Sequence, residues 1–360
     1  MAPSSAPASP PSEDQLDRLE KSLESDPKNP GLLVQAIDTA LAIGDIAAAR
    51  KHANTALDAN PGDPFMRHRH ANVLVAEGRL DEAAVIFAYL LAKHGDANIA
   101  YNLGLVRFRQ GNYDAALKAV TPFTPATQPR SVALAVRALH YQGKPKEALE
   151  LAGKAPHSDD AEVLAALCLV YLDEDDLAKA EELAKQSLQG GRRELEALVV
   201  SGTAALSRKD AKSAQAQFKE ALEINPNDPR TLSGRGRAYL LVGDAPNARK
   251  YLERARAQLP DNLDTIEALA WAHAMAGELS QAEEMFKQLL AKGDKEARRG
   301  LAVTYALQGR NEDAQMSLAH LKPDDDAAQA ARAVMEGGTK AAGKLGQLAR
   351  TRLGRARQPL

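Results

Sequence analysis

Four short stretches carry residues whose types could do chemistry. "RHRH", residues 67 to 70, places His68 and His70 two apart, and paired imidazoles can ligate a metal. On a helix a spacing of two turns side chains to different sides, so this pair does not converge on one ion. "DEDD", residues 173 to 176, offers four carboxylates, but at a turn between two apolar runs, where solvated loop side chains are expected. "GRGR", residues 234 to 237, has two glycines without the surroundings of a phosphate-cradling loop. Cys168, the single thiol, lies inside the apolar run "LAALCLVYL" and is expected to be buried and inert. The sequence holds no HExxH, no CxxC pair and no nucleophile elbow. No catalytic residue, metal ligand or cofactor site is nominated, and the chain is expected not to be an enzyme.

The elements that would have to position any site are helices. Of 360 residues 44% are hydrophobic but only 4% aromatic, so apolar material suffices for a large folded body. Alanine and leucine dominate and β-branched runs are scarce, which favours helix. One cysteine excludes an internal disulfide framework and fits a reducing compartment, so a cytoplasmic location is expected. No apolar window of about 18 residues predicts a membrane span. "MAPSSAPASPPS" lacks the basic start and apolar core of a signal peptide, and residues 1–11 read as a disordered tail. The alanine- and arginine-rich style points to a bacterial source.

A period runs through the chain. Gly44 with Ala49 recurs as Gly78 with Ala83, Gly111 with Ala116, Gly143 with Ala148, Gly243 with Ala248, Gly277 with Ala282 and Gly309 with Ala314. Two copies keep the alanine and replace the glycine, Asp175 with Ala180 and Lys209 with Ala214. The spacing of 32 to 34 residues predicts nine units of two helices joined by a tight turn. Seven residues before the turn stands a small residue where the helices cross closely: Ala71, Gly104, Cys168, Gly202, Gly236, Ala270 or Ala302, with Ile37 and Val136 larger. Gly104 is therefore expected to serve packing, although a mid-helix glycine costs about 1 kcal/mol against alanine.

This pattern resembles the tetratricopeptide repeat family. Residues 195 to 228 supply Leu198, Gly202, Ala214, Phe218, Ala221 and Pro226 at the family's positions, and residues 229 to 262 supply Leu232, Gly236, Tyr239, Ala248, Ala255 and Pro260. The resemblance covers about 30–323, with units starting near 30, 64, 97, 129, 161, 195, 229, 263 and 295. It implies an all-α, right-handed superhelical solenoid in which each unit touches its neighbours. Residues 12–29, with Leu16, Leu19 and Leu23 on one face, and 324–337 are expected to cap the two ends. Pro122, Pro125 and Pro129 in 120–131 should shorten the second helix of the third unit and could bend the stack there.

The family holds extended peptides or helices of other proteins in a concave face lined by the first helix of each unit. By their spacing, Phe65, His68, Arg69 and Asn72 would line it in the second unit, and Tyr101, Asn102, Phe108 and Arg109 in the third. Arg130, Arg137, His140 and Tyr141 follow in the fourth, and Trp271 faces the groove further on. Arginines and aromatics together suit an acidic or carboxylate-bearing segment. The family's clamp for C-terminal carboxylates maps onto His68, Asn72, Asn102, Arg130 and Leu134; three of the five places fit, Leu134 stands where an arginine belongs, and Arg137 lies a turn away. The tail 338–360 carries six basic and no acidic residues, which leaves −8 on residues 1–336 of an overall −2. Such a tail is expected to be flexible and suits an acidic protein surface, whereas the acidic body argues against nucleic acid. The expected function is a non-catalytic adaptor that binds a peptide or helix of a partner. The alternative is a structural subunit of a bacterial secretion, envelope or polysaccharide machine.

Overall fold

In the computed structural model, residues 11–126, 128–155, 159–337 and 348 are described. The N-terminal tail 1–10 and nearly all of the basic tail fall outside them. The described residues form twenty α-helices and two short 3-10 turns, with no strand. They divide into two units, Met1–Gln142 and Gly143–Leu360.

The first unit holds α1 (Glu13–Ser25), α2 (Pro30–Ile43), α3 (Ile46–Ala59), α4 (Pro64–Ala76), α5 (Leu80–His94), α6 (Ala97–Arg109), α7 (Tyr113–Val120) and α8 (Pro129–Tyr141). The second holds α9 (Pro145–Lys154), α10 (Ala161–Asp173), α11 (Leu177–Ser187), α12 (Leu195–Ser207), α13 (Ala211–Ile224), α14 (Pro229–Leu241) and α15 (Ala245–Gln258). It continues with α16 (Leu263–Met275), α17 (Leu279–Ala291), α18 (Ala297–Leu307), α19 (Asn311–Leu318) and α20 (Asp326–Met335). Within each unit a helix packs on its sequence neighbours and on the next helix but one, as α2 does on α3 and α4, or α14 on α15 and α16. Each unit is thus a stack of antiparallel hairpins, an all-α repeat solenoid. We call the first helix of a hairpin A and the second B.

Local chemistry punctuates every hairpin. Asn29, Asp63, Asp96, Asp160, Asp228 and Asn262 precede A helices, and each side chain accepts a first-turn N–H that the helix cannot satisfy. After each A helix one residue turns left-handed: Gly44, Gly78, Gly111, Gly143, Gly243, Gly277 and Gly309, and also Asp175 at φ 65° and Lys209 at φ 59°. Then Asp45, Asn112, Asp176, Asp210 or Asp244 caps the B helix. Pro145 and Pro246 fall in the first turn of their helices, where no N–H is lost from the ladder. Only eight residues of α7 are helical before Thr121–Ala126 tightens into 3-10 geometry, in keeping with its prolines.

All nine alanines of the period have 0% exposure. A Cβ at Gly104 would stand 2.7 Å from Val120 Cγ1, 3.1 Å from Leu134 Cδ2 and 3.3 Å from the Ala116 carbonyl. The missing side chain is what lets α6 lie against α7 and α8. Gly202 does the same for the Phe218 ring, and Gly236 for Leu252. A Cβ at Gly234 would also meet the Phe218 ring, at 2.3 Å. Cys168 is buried at its crossing and its thiol donates to the Ala165 carbonyl at 3.0 Å. At the start of the first unit Leu16, Leu19 and Leu23 of α1 join the cluster of Leu33 and Ile37. At the end of the second unit Ala327, Ala328 and Ala331 of α20 are buried in the cluster that α18 shares.

Candidate peptide-binding face

The A helices of the first unit bring several of the nominated side chains together. His68 on α4 and Asn102 on α6 occupy equivalent places in consecutive hairpins, and Asn102 Nδ2 donates to His68 Nε2 at 3.0 Å. With Nε2 accepting, a neutral ring carries its proton on Nδ1, which lies 3.5 Å from Asn72 Nδ2; two donors meet there, so this is a close approach and not a second hydrogen bond. The ring also packs edge-on against Phe87 of α5, centroids 5.5 Å apart. Burial, and then the charge of Arg69, hold the His68 pKa below its usual value, with Asp96 and Asp38 opposing. The imidazole is therefore a neutral member of an amide–imidazole–amide row. His70 feels other charges, those of Arg79, Glu77 and Glu82, and burial lowers its pKa as well.

Positive charge flanks that row. Arg130 of α8 lies over the Tyr101 ring at 4.7 Å and its guanidinium donates to the Asn98 side chain. Arg69 Nη2 pairs with Asp38 of α2 at 3.1 Å, partly neutralising it. Arg109 is exposed, with no ion-pair partner among the described residues. Phe65 stands 68% exposed at the start of α4. Arg137 is partly buried on α8. A surface of this make-up offers amide donors, a half-buried cation and an exposed aromatic to an extended chain.

Other nominated residues are placed differently. Phe108 and Tyr141 turn to the hairpin end, where they meet Tyr113 of the B helix α7: Phe108 edge-on at 5.1 and 5.4 Å, and Tyr113 stacked on Tyr141 at 5.4 Å. His140 adds a tilted contact with Tyr141 at 5.3 Å. Tyr113 belongs to a B helix and so lies outside the A-helix stripe; its place right after the turn, where α3 and α5 carry Ile46 and Leu80, is what marks it in the sequence. Burial raises its pKa. Leu134 is buried against Gly104, so the last clamp place offers no donor.

Trp271 is a correction. It does not face a groove; it has 0% exposure and packs edge-on against Phe286, centroids 5.2 Å apart. The cause lies one hairpin on: a Cβ at Gly300 would strike the Phe286 ring at 2.2 Å, so a missing side chain on α18 lets that ring sit where it holds Trp271 inside.

Among the described residues no group of three or more His, Cys, Asp or Glu side chains could hold a metal ion. No described helix is long and apolar enough to cross a membrane.

Two tetratricopeptide repeat family models match the sequence, one over residues 239–298 and the other over 68–121 and 199–262. Cellulose synthase operon protein C of Xanthomonas axonopodis pv. citri (strain 306) is 29% identical over 171 residues, which are 42% of this chain and 11% of that relative's length. A monomeric mutant of IFIT1 with Gppp-AAAA matches over 94% of this chain and 95% of its own, at 15% identity and a TM-score of 0.48. PilF of Pseudomonas aeruginosa matches over 66% and 96%, at 18% identity and a TM-score of 0.39.

Proposed function

The chain is a tetratricopeptide repeat protein, and on that premise we propose that the A-helix face of α4, α6 and α8 binds an extended, acidic segment of a partner protein. Repeats of this family indicate a protein–protein interaction scaffold. The observation that supports the specific face is the row His68–Asn72–Asn102 with Arg130 beside it on Tyr101. Asparagine amides hold a peptide backbone by donating to its carbonyls and accepting from its N–H groups. A guanidinium adds charge-assisted, two-pronged bonds to a carboxylate. The neutral state of His68 keeps the row from repelling the arginines. With Leu134 buried, the arrangement reads acidic side chains along a segment in preference to a terminal carboxylate. No step of this function asks for catalysis, a metal or a cofactor.

Panning a library of random peptides against the full chain tests this. Bound peptides are expected to be enriched in Asp and Glu, and Arg109→Glu together with Asn102→Ala should remove that enrichment while leaving the helical circular dichroism unchanged. Enrichment without acidic bias, or a bias that survives both substitutions, would overturn the proposal.

A second reading is favoured by one observation, the 29% identity to cellulose synthase operon protein C. On that reading the scaffold joins subunits of a bacterial polysaccharide machine. It gains if a native partner identified by mass is a component of such a machine and binds regardless of Arg109 and Asn102. A cytoplasmic site of action remains part of the first reading only.

A further inference from the structure

Leu348 is the single described position within 338–360, and it is not at the surface. It has 7% exposure and belongs to the apolar cluster that includes residues of α16, α17, α18 and α20. Its carbonyl accepts a hydrogen bond from Arg299 Nη1 at 3.3 Å. Arg299, on α18, has 3% exposure, and its Nε donates to both oxygens of Asp325, the N-cap of α20, at 3.0 and 3.2 Å. The carboxylate compensates the buried charge and fixes the guanidinium plane, leaving another N–H aimed at one peptide carbonyl. By its spacing Arg299 is the counterpart of residues that line the peptide face in other A helices.

We propose that this end of the second unit is a second peptide site, taking a leucine-type side chain whose backbone carbonyl is read by Arg299, and that its resident occupant is the chain's own C-terminal segment through Leu348. A partner's apolar segment would have to displace it. Reach allows the arrangement: the ten residues between Gly337 and Leu348 span up to about 35–40 Å when extended. Charge favours it too, since the tail carries six basic residues and no acid while the remainder carries −8. This site does not depend on the face formed by α4, α6 and α8.

Full-length Leu348→Glu tests it, because a carboxylate at that place cannot be buried without a partner. Trypsin under native conditions reads the segment at Lys344 and Arg350, which flank Leu348. Cleavage there is expected to be at least tenfold faster in the variant than in the natural chain. A labelled synthetic peptide with the sequence of residues 338–360 should bind the variant at least tenfold more tightly than it binds the natural chain. Equal cleavage rates would show that Leu348 is not seated. Faster cleavage with no peptide binding would reduce it to a packing contact, and equal peptide affinity for both chains would deny that the site is occupied; any of the three overturns the proposal. Binding of acidic library peptides, which tests the other face, should not change.

Discussion

Asp175 and Lys209 hold φ of 65° and 59° where seven other hairpins place glycine. The left-handed conformation costs an L-residue roughly 1–2 kcal/mol, less for aspartate, and glycine avoids that cost at some loss of entropy. Lys209→Gly should therefore stabilise the chain by about 0.5–1 kcal/mol in urea unfolding, and Asp175→Gly by less. A loss of stability at Lys209 would mean that its side chain makes a contact worth more than the strain. His68 gives a pH prediction. Burial lowers its pKa in the folded chain, so the folded state binds fewer protons than the unfolded one. Stability is then intact above the unfolded value near 6.5 and is lost as pH falls through it towards the folded value. The melting temperature should drop over that window, and His68→Gln should flatten the drop, with His70, shifted the same way, supplying the remainder. The left-handed turns could be read from the glycine period alone. The neutral, amide-held state of His68 could not, because it depends on Asn102, a whole repeat away.

At the scale of the helix, Gly104 was legible and Gly300 was not. Gly104 stands seven residues before its turn glycine, in register with Ala71 and Gly202, so a single repeat frame exposes it as a crossing point. Gly300 and Gly234 answer to aromatic rings on the preceding B helix, Phe286 and Phe218, and only the stacking of one hairpin on the next reveals that need. The same stacking draws Trp271 inside, although its place along α16 is that of a face residue. Gly104→Ala should gain about 1 kcal/mol of helix propensity and lose more to the clash with Val120, for a net loss of about 1–2 kcal/mol. Adding Val120→Ala frees the space and should make the alanine at 104 stabilising in that background. If Gly104→Ala destabilises equally in both backgrounds, the contacts at Leu134 and the Ala116 carbonyl, not the valine, set the limit.

Across the molecule, function is less legible than fold for a physical reason: the crossing residues are constrained by their neighbours, whereas exposed face residues such as Phe65 and Arg109 are little constrained by the fold. The fold itself predicts how stability is distributed. Described helices pack on near sequence neighbours, so within each unit a perturbation is felt first by adjacent hairpins and decays with distance along the hairpins. The chain contains one tryptophan, Trp271, buried in the cluster that runs from α14 to α20. Its emission reports the last hairpins, while far-ultraviolet circular dichroism reports every helix. Gly104→Ala loosens α6, α7 and α8 of the other unit. In urea the circular dichroism curve of that variant should therefore broaden and begin at lower denaturant, with the midpoint of Trp271 emission unmoved. Gly300→Ala, which drives a methyl into Phe286 beside the tryptophan, should do the reverse and shift the emission midpoint most. If both variants move both midpoints by the same amount, the hairpins unfold as one block and nearest-neighbour stacking does not describe this chain.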